Sequence, residues 1–545
     1  MKKNFLPFKL FSLSVLLLMA GHHQVQAQGK GKNPRPNIIL ILADDMGYSD
    51  IGCFGSEIST PNLDQLAEQG MRMTQFYNAS RCCPSRASLL TGLYQHEAGI
   101  GDMVGNFGYP GYEGYLNHQC ITLGEALKIN GYNTYMAGKW HVGGEPENWP
   151  RKRGFDRYFG LIDGASNYFK LVPYRNNQPA PRMALDDQLY TPPDTGFYMT
   201  DAITDHALSY LEENKSKKEP FFLYLAFTAP HWPLNALPAD IAKYKGKYMQ
   251  GWEPIREKRF KKMQKLGILD TSVKLSPVDK RSPNWATLSQ KDKEMWDLRM
   301  AVYAAMIDRL DQNVGRVIRK LKELHLNDNT LIIFLSDNGG CHEQIKNQGN
   351  YIHTKGITGN PDSFDSYEYP WANASNTPFR LYKHWVHEGG ISTPFIAWYP
   401  SMIKAGNINK TTAHIIDIMP TLLDFAKGNY PKQFKSKDIK PMEGTSLLPL
   451  LEGGKIFRKN PLFWEHEGNR AVREGKWKLV SLYDTKNDKF GPWELYDINA
   501  DRSELNDLSR KHPDKVVEMV KKYDSWAERI GVVSREKMKR GREKD

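Results

Sequence analysis

Asn37 leads into six unbroken apolar residues, Ile38 to Ala43, which stop abruptly at Asp44-Asp45. The run is too short for a stable helix and lacks the alternation of a half-wet strand. It reads as a strand covered on both faces. The pattern returns three times: Asn133 to Ala137 precedes Gly138-Lys139-Trp140-His141, Phe221 to Phe227 precedes Pro230-His231, and Thr330 to Leu335 precedes Ser336-Asp337-Asn338-Gly339. Between the last two, Tyr303, Met306, Leu310, Val314, Val317 and Leu321 recur three or four apart, which predicts a long amphipathic helix. Another helix is expected from Pro61, with Thr60 as its cap. Strands alternating with helices predict an α/β fold built on a large, mainly parallel sheet flanked by helices. Each polar cluster stands just past the C-terminal end of a strand, where open α/β sheets gather their ligands.

The ends of the chain read differently. Lys2 and Lys3, the apolar run Phe11 to Ala20 and the small-residue site Val25-Gln26-Ala27 form an export signal over 1–27, cleaved near Ala27. The expected location is periplasmic or secreted, without stable membrane insertion. Removing the signal would lower the net charge from +12 to +9. That balance suits an anionic substrate without identifying one. The basic residues are scattered and no nucleic-acid motif accompanies them, so no nucleic-acid partner is expected. A Gly/Lys/Pro linker leads to a catalytic domain expected over 36–456. Beyond it, the short apolar runs Pro461 to Trp464, Arg470 to Val472, Trp477 to Leu482 and Trp493 to Tyr496, then a helix over Pro513 to Ile530, predict a small α+β subdomain over 457–545 with an antiparallel sheet. The charged tail from Arg535 is expected to fray. Tyr244 to Asp297 reads as an irregular insertion over the main sheet, with Arg256, Lys258, Arg259, Lys261 and Lys262 on one solvated helix face.

Two constellations carry chemistry. Adjacent carboxylates at Asp44-Asp45 repel each other and are costly to desolvate, and a second strand ends in a carboxylate and an amide at Asp337-Asn338; the alternative is that both pairs cap loops or helices. Oxygen donors of this kind suit Ca²⁺ or Mg²⁺. The five cysteines, Cys53, Cys82, Cys83, Cys120 and Cys341, are odd in number and widely spaced, which argues against a disulfide framework or a zinc cage.

The second constellation is Cys82-Cys83-Pro84-Ser85-Arg86, followed by Leu89-Leu90-Thr91-Gly92. This stretch resembles the signature of the formylglycine-dependent sulfatases, a family of the alkaline phosphatase superfamily. Gly131 through His141 resembles the second signature of that family, as do Thr60-Pro61-Asn62-Leu63-Asp64 and Glu388-Gly389-Gly390. Asn376-Thr377-Pro378-Phe379-Arg380 points to the arylsulfatase branch. Arg81 and Cys83 depart from the commoner residues at their positions.

The resemblance implies an alkaline-phosphatase-like large mixed sheet with a small C-terminal α+β subdomain, and hydrolysis of sulfate monoesters at the S–O bond. It implies that a maturation enzyme oxidises Cys82 to 3-oxoalanine, whose hydrate supplies one hydroxyl to attack sulfur and another to release sulfate. Asp44, Asp45, Asp337, Asn338 and modified Cys82 would hold one Ca²⁺. Arg86 would support the diol, and Lys139 and Lys383 the sulfate oxygens. His141 is the candidate base for release, and His231, with Lys383, the candidate donor to the leaving oxygen. The expected substrate is a sulfated glycan or aryl sulfate, with His466, Asn469 and Arg470 as candidate readers of sugar hydroxyls. The rivals are a phosphatase or phosphonate hydrolase of the same fold, and a glycan-binding protein that never acquires the aldehyde.

Overall fold

The computed structural model describes Met1, residues 35–347, Tyr351 and residues 356–542. The export signal lies outside the described residues apart from Met1.

Seven strands carry the argument: β1 (Asn37–Ala43), β2 (Met71–Tyr77), β3 (Asn133–Gly138), β4 (Arg157–Leu161), β5 (Phe221–Ala226), β6 (Thr330–Ser336) and β7 (Ser392–Trp398). They lie in one eleven-stranded sheet in the order β2-β7-β6-β1-β5-β3-β4, with short strands at both edges. The run β6-β1-β5-β3-β4 is parallel, whereas β7 is antiparallel to both β6 and β2. The sheet is therefore mixed, as the family resemblance implies. Every residue from Ile38 to Ala43 is fully buried, and each aliphatic side chain so covered contributes about 1.5–3 kcal/mol.

Alternate residues of β1 feed two cores. Ile39 and Ile41 pack with α2 (Met199–Asn214) and the long α4 (Gln290–Glu323), whereas Ile38, Leu40 and Leu42 pack on the side of α1 (Cys82–Thr91). The predicted apolar stripe from Tyr303 to Leu321 lies buried on α4. Predicted strand ends fall within a residue of those observed for β3, β5 and β6.

The C-terminal strands β8 (Leu462–His466), β9 (Asn469–Glu474), β10 (Trp477–Ser481) and β11 (Glu494–Asp497) form a separate antiparallel sheet, packed against α5 (Pro513–Ile530). A two-residue turn, Glu467-Gly468, joins β8 to β9 with φ of 47° and 85°. Two positive φ values match the hairpin turn that follows strand twist. Beneath this sheet lies a buried ionic network. Lys478 reaches Glu388 at 2.9 Å and Glu504 at 2.8 Å, while Arg502 approaches Glu388 at 3.6 Å.

Three expectations are corrected. Thr60 holds the N-cap position of the Pro61–Glu68 helix, but its side chain does not cap it; its hydroxyl accepts from the Gly52 N–H and donates to Asp64. The basic run from Arg256 to Lys262 is not one solvated face. On α3 (Trp252–Lys265), Arg256 and Arg259 are buried, and Arg259 pairs with Asp50 at 2.6 Å and Glu57 at 2.8 Å. A guanidinium can be buried when carboxylates meet its fork. The tail from Arg535 does not fray at once but forms a helix, Arg535–Arg542, with Met538 buried against Phe107 and Tyr112.

Candidate active site

Parallel pairing fixes where the acidic residues meet. Ala43 lies opposite Ser336, so β1 and β6 end in register and deliver Asp44 and Asp337 side by side. The Asp337 N–H donates to the Ala43 carbonyl at 3.1 Å, and the Asp45 N–H to Asp337 Oδ1 at 3.1 Å. Asp45 holds a left-handed φ of 65°, which turns its carboxylate back toward Asn338; Asn338 Nδ2 donates to Asp45 Oδ1 at 2.6 Å.

On the other side of β1, Gly138 ends β3 opposite Ala226 of β5. Gly138 has φ +122°, and a Cβ there would stand 1.8 Å from the Ala226 carbonyl oxygen. Only glycine fits, and the next residue, Lys139, is thereby pointed at Asp44, with Nζ 2.6 Å from Oδ2. His141 also has a left-handed φ, and its ring occupies the space where a Cβ at Gly164 would fall, 2.6 Å away.

Cys82 opens α1, where backbone N–H groups lack intrahelical partners and favour negative charge. The preceding turn is fixed by the Ser85 hydroxyl, which accepts from the Ala79 N–H, and by Ser80, whose carbonyl accepts from the His384 N–H at 2.8 Å. That bond ties the Lys383 loop to the start of α1. One turn into α1, Arg86 is fully buried; it donates to Asp337 Oδ2 at 2.9 Å and to the Lys139 carbonyl at 3.0 Å. Lys383 Nζ donates to Asp45 Oδ2 at 2.8 Å and lies 3.2 Å from His231 Nε2. His231 Nδ1 lies 2.6 Å from the Trp232 carbonyl. A carbonyl only accepts, so Nδ1 bears the proton and Nε2 offers a lone pair to Lys383.

All ten candidate residues thus come together. Cys82, His141, His231 and Lys383 line a cavity of about 720 Å³. Asp44, Asp45, Arg86, Lys139, Asp337 and Asn338 are joined by the contacts above and buried at the strand ends.

The electrostatics follow from this crowding. Burial pushes the Asp44 carboxyl up to about 7 against the pull of Lys139, with Asp337 adding to the rise. Burial likewise raises Asp337 despite Arg86. Burial also works on Asp45, but Lys383 and His231 outweigh it and hold that carboxyl low. The Cys83 thiol, and then Lys139, His141 and Lys383, pull Cys82 well below the ordinary thiol range. Burial lowers both His141 and His231, which are therefore neutral at neutral pH.

The residues fit a hard cation. Asp44 Oδ1 and Asn338 Oδ1 are buried acceptors with no hydrogen-bond partner among the described residues, a state that costs free energy unless something positive meets them. Three carboxylates are balanced by three cationic side chains, Arg86, Lys139 and Lys383. A divalent ion would give the site the net positive charge that an anionic ester needs.

Sequence reasoning missed the cavity wall. Arg81 pairs with Glu343 at 3.0 Å, and Arg182 grips Asp163 through two nitrogens. Tyr174, Arg175, Trp232 and Tyr351 complete the wall. Of these only Arg81, at the start of α1, stands beside a signature; the others come from loops without periodicity. By contrast, His466, Asn469 and Arg470 do not line the cavity. His466 and Asn469 are fully buried, and the Arg470 guanidinium lies over the rings of Phe490 and Trp493 at 3.9 and 4.2 Å.

Known proteins share this arrangement of chain. A sulfatase family model matches residues 36–428, and a model of the C-terminal part of N-sulphoglucosamine sulphohydrolase matches residues 379–526. An uncharacterized sulfatase of Schizosaccharomyces pombe is 38% identical over 537 residues, covering 93% of this chain and 96% of its own. An arylsulfatase of Klebsiella aerogenes is 37% identical, covering 79% of this chain and 94% of its own. Among solved structures, Ps i-CgsB in complex with k-i-k-neocarrahexaose is 27% identical with a TM-score of 0.66, covering 90% of this chain and 93% of its own. With the family signatures gathered at one set of strand ends and the family model matching most of its length, the chain belongs to the sulfatase family and is a sulfuric ester hydrolase.

Proposed function

We propose that the protein is an exported enzyme that removes sulfate from glycans, accepts aryl sulfates as simpler substrates, and uses oxidised Cys82 together with one bound Ca²⁺. The observation that carries this reading is the pair of unpartnered buried oxygens, Asp44 Oδ1 and Asn338 Oδ1, beside a cavity that Cys82 lines. The glycan reading is supported by relatives named N-acetylgalactosamine-6-sulfatase, 28% identical in dog, and by the oligosaccharide bound to Ps i-CgsB. The export reading rests on the leader motif, with a periplasmic or secreted location after cleavage near Ala27. No helix of the described residues is long and apolar enough to cross a membrane.

Cys82, oxidised by a formylglycine-generating enzyme, would supply a hydrated aldehyde as nucleophile. Asp44, Asp45, Asp337, Asn338 and residue 82 would hold the cation, which when bound polarises a sulfate oxygen and favours ionisation of the nucleophile. The chain's own groups do the rest. Lys139 and Lys383 aim fixed positive charge at the sulfate oxygens from a dry site, where it counts most. Arg86 braces Asp44 and Asp337, and Asp337 is the acceptor for the nucleophile's proton. His231 is neutral with its Nε2 lone pair on Lys383, so the proton for the leaving oxygen comes from Lys383 directly or through His231. His141, neutral and with a buried Nδ1 lacking a hydrogen-bond partner among the described residues, takes the proton that frees sulfate.

The test pairs chemistry with mass. Protein produced with the maturation enzyme should hydrolyse nitrophenyl sulfate in preference to nitrophenyl phosphate and lose that activity on chelation. Its Cys82 peptide should be lighter by about 18 Da, the thiol-to-aldehyde change. Turnover with an unmodified Cys82, or a preference for phosphate, would overturn the reading.

A further inference from the structure

The cavity wall beyond Cys82 carries three guanidiniums, from Arg81, Arg175 and Arg182, and two carboxylates, from Asp163 and Glu343. The carboxylates are already committed. Glu343 Oε1 meets Arg81 at 3.0 Å, and its Oε2 accepts from Trp232 Nε1 at 2.6 Å. Asp163 Oδ1 accepts from Arg182 at 2.7 Å, and its Oδ2 from the Arg182 backbone and Nε at 2.7 and 3.2 Å. Arg175 therefore has no carboxylate partner among the described residues. Its charge rests on aromatic faces, 5.1 Å from the Tyr351 ring and 5.6 Å from that of Tyr174, and it donates to the Tyr351 hydroxyl at 3.1 Å. Its Nε is buried without a hydrogen-bond partner.

That combination is selective. A guanidinium stacked on rings is held flat, with its fork available to an oxyanion. The rings themselves form one surface: Tyr174 meets Trp232 edge-on at 5.9 Å, and Trp232 meets Tyr351 edge-on at 5.6 Å. Such a surface suits the apolar face of a sugar ring. The wall beyond Cys82 keeps one positive charge uncancelled, on a residue other than the lysines that would hold the ester being cut.

We propose that Arg175 is a second anion-binding group of this pocket, so that the preferred substrate is a saccharide bearing another oxyanion, sulfate or carboxylate, besides the ester that is cleaved. The proposal rests on the desulfating activity above and adds a substrate class to it. A substrate with one sulfate fills the lysine site and leaves Arg175 facing water; a substrate with two anions answers both.

The experiment compares kcat/KM of matured enzyme on four substrates: nitrophenyl sulfate, a panel of monosulfated monosaccharides, their disulfated counterparts, and sulfated uronic acids. The wild type should favour substrates with a second anion by about 10- to 100-fold, the range for one hydrogen bond to a charged group. The disulfated and uronate arms tell which oxyanion is read. Arg175→Gln should abolish that preference chiefly through KM while turning over nitrophenyl sulfate within about twofold, which also certifies its fold. Arg175→Lys should keep part of the preference and lose it more steeply with salt. Equal turnover of singly and doubly charged sugars by the wild type, or a matching loss on nitrophenyl sulfate in Arg175→Gln, would overturn the proposal while leaving the sulfatase activity intact. Failure of matured wild type on every ester would instead sink the reading beneath it.

Discussion

Two clusters of buried charge lie in this molecule, and they are built for different ends. At the strand ends, Asp44, Asp45 and Asp337 face Arg86, Lys139 and Lys383, and the atoms left over include two acceptors, Asp44 Oδ1 and Asn338 Oδ1, besides Arg86 Nε. Beneath the small sheet, Glu388 and Glu504 face Lys478 and Arg502, and the atoms left over on Arg502 and Arg473 are guanidinium nitrogens. Those guanidiniums lie over aromatic rings: Arg502 is 5.3 Å from Tyr48 and 4.9 Å from Phe379, and Arg473 is 5.0 Å from Tyr77. Rings quiet a donor through their negative faces. Nothing of that kind quiets a lone carboxylate oxygen. One cluster is closed and joins two parts of the fold; the other borders a cavity and keeps acceptors that a cation would satisfy.

Substitutions can break this contrast. Cys82→Ala should remove essentially all turnover while leaving thermal unfolding unchanged, because the proposed nucleophile is lost but α1 keeps its packing; wild-type-like activity would refute the assignment. His231→Ala should cost roughly 10²–10⁴-fold in kcat with poor leaving groups and much less with nitrophenyl sulfate. Equal losses on both would remove it from proton delivery. In the other cluster the expected effects reverse. Lys478→Met strands Glu388 and Glu504 and should cost about 3–5 kcal/mol of stability, read as a lower denaturant midpoint, with kcat of the folded fraction largely kept.

The effect that is smallest at each step, though it accumulates, concerns pH. Burial holds His342, His414 and His466 down to about 3, whereas the unfolded chain protonates them near 6.5. The unfolded state therefore binds more protons between those values. Their contribution to stability is complete above about pH 6.5 and is lost as pH falls toward 3, at up to about 1.4 kcal/mol per pH unit for each histidine. His414→Gln should flatten the dependence of unfolding midpoint on pH in that window; an unchanged slope would deny that histidine its part.

Much of this is legible in the sequence alone, for a physical reason. A strand buried on both faces must be apolar throughout, so Ile38 to Ala43 and Thr330 to Leu335 announce themselves, and parallel register then dictates that Asp44 and Asp337 meet. Signature residues arrive in compact runs, as in Cys82 to Arg86 and Gly138 to His141. The cavity wall is different. Tyr174, Arg175, Glu343 and Tyr351 come from loops with neither repeat nor shared spacing, and only tertiary contact makes them neighbours. The basic run on α3 misled because composition cannot tell a solvated arginine from one that reaches Asp50 and Glu57 across the fold.

One feature of α1 sets an order of events. All ten of its residues are buried, and Cys82 is 2% exposed. A substrate's sulfate can enter by the cavity, but a second protein's catalytic centre cannot follow it there without prising the helix off the sheet. An enzyme that alters this side chain would therefore reach it more easily on a chain that has yet to close.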